Sequence, residues 1–136
     1  MNKTVLLLDT NAYSRVMLGD EFALKVVNDA ARIILCSAVL GELEFGFRNG
    51  TKYEENVESL KEFLEMPNVV KVYSSENTVR HYGELMSNLR REGHQIPTND
   101  VWIGAFAKEY QATVFSYDRH MRFMQAHDVK LLGIEP

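Results

Sequence analysis

Four acidic residues fall where a sheet of parallel strands would bring them together. The apolar run Val5–Leu8 stops at Asp9, and the short apolar strand Thr113–Phe115 is soon followed by Asp118. Glu42 lies in a predicted helix after the second strand, and Asp100 begins the predicted helix before the fourth. Ligands of parallel sheets bind beyond the carboxyl ends of the strands. Carboxylates crowded there repel one another unless a hard cation holds them, which predicts a Mg²⁺ or Mn²⁺ site.

The residue types alone leave alternatives open at three of these positions. Asp9 and Asp100 could each cap the helix that follows, as Asp commonly does. Glu42 and Glu44 lie symmetrically about Leu43, roughly 100° to either side of the buried stripe by helix geometry. Either glutamate could therefore reach the site.

The elements that must position these acids alternate along the chain. Apolar and β-branched runs predict five strands, and amphipathic spacing predicts the helices between them. The segment after Asn11, as far as Leu18, is not assigned to an element, and Ser37 is expected to cap a helix. Predicted strands are residues 5–8, 32–35, 69–73, 113–115 and 129–132; predicted helices are residues 21–31, 38–48, 53–66, 76–91 and 99–110, and a short one ending at 126.

This alternation predicts an α/β fold, a three-layer sandwich around a central, mostly parallel five-stranded sheet. A chain of 136 residues is long enough for one well-packed core and too short for two comfortable ones, so residues 1–136 are expected to form a single domain.

Composition narrows the possible classes of protein. No segment approaches the roughly 18 continuous apolar residues of a membrane span. The first apolar run ends at Asp9 rather than at a signal-peptide cleavage site. The single cysteine, Cys36, has apolar neighbours and is expected to be a buried, inert thiol. We therefore expect a cytoplasmic protein that does not associate with membranes.

A net charge of −4 argues against a general nucleic-acid binder, whose surface is usually basic. However, if four of the 19 acids surround a metal site, the remaining 15 acids balance the 15 basic residues. An acidic total is thus compatible with a phosphodiester substrate.

Four short motifs, in this order and spacing, resemble one family. The chain is similar to the PIN-domain ribonucleases, and most closely to the VapC-type toxins of toxin-antitoxin pairs. The motifs are Leu-Asp-Thr-Asn at 8–11, Gly-Glu-Leu-Glu-Phe-Gly at 41–46, Asn-Asp-Val-Trp-Ile-Gly-Ala at 99–105 and Ser-Tyr-Asp-Arg-His-Met at 116–121. Each is common by chance, but the set covers the whole chain and is specific.

The resemblance implies which residues form the site. The family's acids match Asp9, Glu42, Asp100 and Asp118, which favours Glu42 over Glu44. Supporting polar positions match Thr10, Asn11 and Ser116. Small departures are Ser116 in place of the usual Thr, Gly104 in place of Ala and Met121 in place of Phe; none removes a ligand.

The activity implied is hydrolysis of RNA by a Mg²⁺- or Mn²⁺-dependent endoribonuclease, acting as the toxin of a toxin-antitoxin pair. Asp9 and Asp118 would be the main metal ligands, Asp100 would complete the shell or hold a second ion, and Glu42 would orient or deprotonate the attacking water. The resemblance also implies a small antitoxin partner and a homodimer.

Alternative functions follow from the same residues. A PIN-fold RNA-processing nuclease without an antitoxin would have the same motifs. A non-catalytic binding module would usually lack some of the four acids. A receiver-type phosphoacceptor domain needs an acceptor Asp after strand three, where this chain has Tyr73-Ser74-Ser75, so we disfavour it.

Several further residues have predicted surface roles. Arg119 and His120, beside Asp118, could contact phosphate. Arg90 and Arg91 with His94 could form a basic rim for RNA, although positive charge at a helix C-terminus is equally ordinary. The four histidines lack zinc-ligand spacing. Trp102 and Tyr110 are expected to pack, whereas Phe45, Phe47, Leu60 and Phe63 could form an apolar groove for a partner helix.

Overall fold

The computed structural model describes residues 3–133, and these contain a five-stranded sheet flanked by helices. The strands are β1 (Val5–Leu8), β2 (Arg32–Cys36), β3 (Val69–Val72), β4 (Thr113–Phe115) and β5 (Lys130–Leu132). The helices are α1 (Thr10–Met17), α2 (Glu21–Asp29), α3 (Ser37–Asn49), α4 (Tyr53–Leu64), α5 (Glu76–Arg91) and α6 (Thr98–Tyr110), followed by a 3₁₀ helix (Arg119–His127).

All neighbouring strands in the sheet pair in parallel, in the order β3-β2-β1-β4-β5. The central strand β1 is buried on both faces, since Leu6, Leu7 and Leu8 are each at most 1% exposed and alternate in direction. Helices must therefore cover both faces, which gives the three layers that the apolar runs predicted.

The strand order reverses beside β1. The chain proceeds from β1 through β2 to β3 on one side, and β4 and β5 then add on the other side. In open α/β sheets ligands bind at such a switch point, outside the carboxyl ends of the strands. Leu8 is in register with Phe115, so Asp9 and Ser116 leave the sheet side by side.

The segment after Asn11 forms a helix that the sequence analysis did not assign. Asp9 is the N-cap of α1, and the helix buries Ala12, Tyr13 and Val16 on one side. Thr10 and Asn11 are poor helix formers and hide the helical signal, but packing of the buried side outweighs their low propensity.

The predicted helix cap at Ser37 is wrong, and the alternative that Asp100 only caps its helix does not hold. Ser37 is the first residue of α3 and Cys36 its N-cap, with no side-chain capping bond, because β2 extends through Cys36 to pair with Val72. Asp100 does not cap α6 either: Pro97 is the N-cap, and Asp100 lies inside the first turn. Its carboxylate therefore needs another explanation.

The predictions for Cys36 and Trp102 are confirmed. Cys36 is fully buried, and burial raises the pKa of its thiol to about 12, so it is unreactive at neutral pH. Trp102 stacks on Tyr82 with ring centroids 4.0 Å apart. Tyr110, by contrast, is partly exposed at the end of α6.

Among residues 3–133, no helix combines the length and the apolar content that crossing a bilayer requires.

Candidate active site

Asp9 lies at the tip of β1 and uses both carboxylate oxygens. Oδ1 accepts a 2.8 Å hydrogen bond from the backbone N–H of Thr10, and Oδ2 accepts one of 2.6 Å from the hydroxyl of Ser116. The residue is only 4% exposed. Asp9 therefore caps α1 and also belongs to the polar cluster at the sheet edge, so the two alternatives for this residue are compatible.

Ser116 links the first and fourth acids. It is fully buried, and its Oγ donates to Asp9 while accepting a 3.0 Å hydrogen bond from the backbone N–H of Asp118. Nearby, Oδ1 of Asn11 accepts from the backbone N–H of Tyr117 at 3.1 Å. The loop after β4 is thus fixed to the loop after β1, and two of the predicted supporting residues do the fixing.

Glu42 and Glu44 point in different directions from α3. Oε1 of Glu42 accepts a 3.2 Å hydrogen bond from the hydroxyl of Thr10, on the side of Asp9. Oε2 of Glu44 accepts instead from Arg48 Nε and from the Tyr53 hydroxyl, each at 2.7 Å, on the surface. Thr10 therefore joins Glu42 to the cluster, Asn99 is a further side-chain partner of Glu42, and Glu44 lies outside the cluster.

Asp100 and Asp118 approach each other together with His120. One ligand atom from each of the three lies within 4.8 Å of the other two. His120 Nδ1 is 3.1 Å from Asp118 Oδ1, and the same oxygen accepts from the His120 backbone N–H at 2.9 Å. Asp100 is nearly buried, whereas His120 is exposed.

Sequence reasoning did not recognise His120 as a possible ligand. The available signal is the Asp118-Arg119-His120 spacing, which by itself predicts phosphate contact. Arg119 itself is exposed and makes no ion pair among residues 3–133.

Burial and mutual repulsion raise the pKa values of three of the acids. Burial, and then the charges of Asp118, Asp9 and Glu42, raise the pKa of Asp100 to about 7. Burial raises the pKa of Asp9, although the hydrogen bond from Ser116 acts to lower it. Burial and the charge of Asp9 raise the pKa of Glu42. The cluster is thus strained when fully ionised.

The donor set fits a divalent cation. Four carboxylates from separate elements supply hard oxygen ligands, and a cation among them would offset the repulsion that raises their pKa values. Two hydrogen bonds orient the oxygens of Asp9, and the carboxyl group of Asp100 interacts with that of Asp118. Carboxylates oriented by such supporting hydrogen bonds are typical of a metal site.

Comparison with known proteins agrees with the fold. The family model described as PIN domain matches residues 6–126. Ribonuclease VapC1 of Haemophilus influenzae is 25% identical over 120 residues, which cover 84% of this chain and 87% of that protein.

Solved structures share the architecture. VapBC2 from Rickettsia felis, bound to a DNA fragment from its promoter, superposes with a TM-score of 0.82 at 24% identity, covering 95% of this chain and 98% of the other. VapBC-5 from Mycobacterium tuberculosis, a member of the VapBC family of toxin-antitoxin systems, has a TM-score of 0.72 at 19% identity, with coverage of 96% and 99%. At these identities the structural likeness establishes the fold.

Proposed function

The chain belongs to the PIN-domain family, and we propose that it is a divalent-metal-dependent endoribonuclease that acts as the toxin of a toxin-antitoxin pair. The observation that carries this proposal is the meeting of Asp9, Glu42, Asp100 and Asp118 at one edge of the sheet, at its switch point. The similarity to Ribonuclease VapC1 supports RNA as the substrate. The length of the family match supports one domain over residues 1–136.

Each acid has a distinct role in this proposal. Asp9, Asp100 and Asp118 would hold the metal, with Ser116 and Asn11 keeping the two loops together and Thr10 keeping Glu42 turned inward. A bound divalent ion lowers the pKa of its water and neutralises charge that develops on the phosphate. Glu42 would orient the attacking water and accept its proton, and its raised pKa brings its basicity closer to neutral pH.

The ion is Mg²⁺ or Mn²⁺ in this proposal. All-oxygen ligation suits Mg²⁺, whereas participation of His120 would favour Mn²⁺, since imidazole is a poorer ligand for Mg²⁺. Arg119 and His120 are exposed beside Asp118 and would contact the phosphates of the RNA.

A groove next to the acids supports an antitoxin partner. It lies between α1, α3 and α4, has a volume of about 520 Å³, and contains Thr10 and Glu42 at one end and Met17 and Leu18 at the other. The hydroxyl of Tyr13, which lines it, is buried without a hydrogen-bond partner in residues 3–133. An amphipathic segment of the antitoxin would fill this groove and cover Glu42.

The predicted composition of this groove was partly wrong. Of the four residues expected to form it, Phe47 alone is among those lining it. Phe63 is buried and packs edge-on against Tyr13 with ring centroids 5.5 Å apart, and Leu60 packs against the core. Phe45 is exposed on α3. The prediction considers only the apolar residues of α3 and α4, whereas the helix α1, which the sequence analysis does not assign, supplies the opposite wall of the groove.

A homodimer is also part of the proposal. Light scattering of the purified protein at high micromolar concentration should give twice the mass of the chain, which is 15.6 kDa. A monodisperse monomer would contradict the dimer without affecting the nuclease assignment.

A toxin differs from a housekeeping processing nuclease in its genetic and cellular behaviour. A toxin should have a small reading frame beside its gene and should arrest growth when expressed, and the product of that frame should relieve the arrest. Growth without arrest, in cells that contain active enzyme, would favour the processing nuclease.

The nuclease itself is tested by incubating purified protein with total RNA and mapping the cut ends. We expect cleavage with Mg²⁺ or Mn²⁺, loss of cleavage with chelator and recovery when metal is returned. Asp118→Asn should be inactive and Asp128→Asn, an exposed acid outside the cluster, should be active. Metal-independent cleavage, or an Asp118→Asn variant with full activity, would contradict the proposal.

A further inference from the structure

A second cleft lies at the junction of the α5 C-terminus, the loop that follows it and α6. Its volume is about 450 Å³, within the range of small-ligand sites. Met86 and Ile96 give it an apolar part, while Arg90 and His94 give it a cationic and an aromatic part. An apolar floor beside an aromatic ring and a guanidinium suits a flat, partly apolar group that carries an anion.

The His94 ring is held rigidly at this cleft. It stacks on Phe123 of the 3₁₀ helix, with ring centroids 4.0 Å apart and planes inclined by 23°. Arg122 in turn lies over the Phe123 ring at 4.8 Å from its centroid. Because one face of His94 is covered by Phe123, the ring is a fixed platform on which a planar base can stack.

The surroundings of the cleft are basic in an otherwise acidic chain. The two segments that meet there supply four arginines: Arg90, Arg91, Arg119 and Arg122. The one carboxylate between residues 90 and 98 is that of Glu92, which already pairs with His127 at 2.9 Å. Arg90 is exposed and makes no ion pair among residues 3–133. It is therefore available to a phosphate.

Both walls of the cleft continue into the acidic cluster. Thr98 lines the cleft and begins α6, two residues before Asp100. Phe123, the ring on which His94 stacks, lies on the 3₁₀ helix whose N-cap is Asp118, five residues earlier and roughly 10 Å away along that helix. The cleft is therefore next to the acidic cluster along both α6 and the 3₁₀ helix.

We propose that this cleft binds one nucleotide of single-stranded RNA next to the cleaved phosphodiester, with the base stacked on His94 and a phosphate held by Arg90. This inference rests on the proposed ribonuclease function and adds a subsite to it. The base on His94 contributes to which sequences are cut, because the four bases differ in size and in hydrogen-bonding groups and would fit the cleft differently.

The test compares Arg90→Ala, His94→Ala and His94→Phe with the wild type, with Arg80→Ala as the matched control. Arg80 is an exposed arginine near the other end of the same helix and lies outside the cleft. The substrates are single-stranded oligoribonucleotides that differ from one another at one position. Cleavage assays give KM and kcat. Fluorescence anisotropy in Ca²⁺ gives Kd, after a check that no cleavage occurs under those conditions.

Arg90→Ala should weaken binding about tenfold and raise KM with little change in kcat. It should also make the negative slope of log K against log salt shallower by about 0.7, the value for one phosphate contact on a single strand. His94→Ala should reduce the preference among the four bases, His94→Phe should retain stacking, and Arg80→Ala should behave as the wild type.

Unchanged KM, Kd, salt slope and base preference in both Arg90→Ala and His94→Ala would overturn the subsite while leaving the nuclease intact. Arg90 is exposed, so its variant remains informative if His94→Ala unfolds. If the wild type binds RNA through Arg90 and His94 and yet never cuts it, the subsite stands and the ribonuclease proposal fails. If the wild type neither binds nor cuts RNA, both fail.

Discussion

The Ser116 hydroxyl donates a 2.6 Å hydrogen bond to Oδ2 of Asp9, although the two residues are 107 positions apart in the chain. The Oγ atom of Ser116 also accepts a 3.0 Å hydrogen bond from the backbone N–H of Asp118. One buried hydroxyl therefore holds the first acid and the loop of the fourth acid in fixed positions.

Ser116→Ala should weaken both the fold and the activity. A buried hydrogen bond to a charged group is lost and the Asp118 N–H loses its acceptor, which should lower the free energy of unfolding by about 1.5–3 kcal/mol. Cleavage should fall more than the fraction of folded protein does. Ser116→Thr keeps the hydroxyl and should retain more activity than Ser116→Ala; equal activities would show that the hydroxyl does not organise the site. Urea denaturation and RNA-cleavage rates measure the two effects.

Without metal, the protein should become less stable as pH rises through the window in which Asp100 ionises. Burial and neighbouring carboxylates raise the pKa of Asp100 from 3.8 to about 7, so the folded state binds a proton that the unfolded state releases. The contribution of Asp100 to stability is therefore full below about pH 4 and is lost as the pH rises through 7, a loss on the order of 1–3 kcal/mol.

Asp100→Asn removes this ionisation and should flatten the profile and stabilise the metal-free protein near neutral pH. Urea denaturation in chelator at four pH values from 4.5 to about 7.5 measures it. A wild-type profile that rises with pH in this window, or an Asp100→Asn profile that decreases equally, would mean that Asp100 is not the group responsible.

Glu42→Gln and Glu44→Gln form a matched pair on α3. Glu42 faces Thr10 and the acids, whereas Glu44 is engaged with Arg48 and Tyr53 on the surface. Glu42→Gln should lower kcat by about 100-fold or more, the usual effect of removing a general base, with little change in stability. Glu44→Gln should remain within about twofold of the wild type. A reversed order would mean that the wrong glutamate has been assigned.

Gly104 in α6 is packed against Met124. A Cβ at position 104 would lie 2.6 Å from the Met124 sulfur and 3.3 Å from Leu85 Cδ1. Gly104→Ala should destabilise by about 0–2 kcal/mol, because overpacking opposes the gain in helix propensity. Met124→Ala should cost about 2–5 kcal/mol through its cavity.

The double variant Gly104→Ala/Met124→Ala should be more stable than the sum of the single effects, since the new methyl group enters the space that the thioether leaves. Urea denaturation of the four proteins gives the coupling energy. Additivity within about 0.5 kcal/mol would show that the two side chains do not compete for this space.

Local sequence patterns predicted most of the fold because burial on both faces of β1 leaves an uninterrupted apolar run, and the helices have clear apolar stripes. Asp9 and Asp118 were predictable because each follows a strand, and Asp100 because it lies in the first turn of a helix. The choice of Glu42 over Glu44, within α3, came from the family resemblance. The helix α1 was not predicted because its first residues, Thr10 and Asn11, have low helix propensity. The Ser116–Asp9 bond, the groove beside α1 and the cleft at His94 depend on contacts between residues far apart in the chain, which local periodicity does not encode.

The central claim is that Asp9, Glu42, Asp100 and Asp118 share a divalent cation, and titration calorimetry with Mn²⁺ tests it most directly. The wild type should bind Mn²⁺ and release protons at pH 6.5, because binding ionises Asp100. Asp9→Asn and Asp118→Asn should each weaken binding by at least about tenfold, while Glu44→Gln binds as the wild type does. Equal Mn²⁺ affinity in all four proteins would contradict the account.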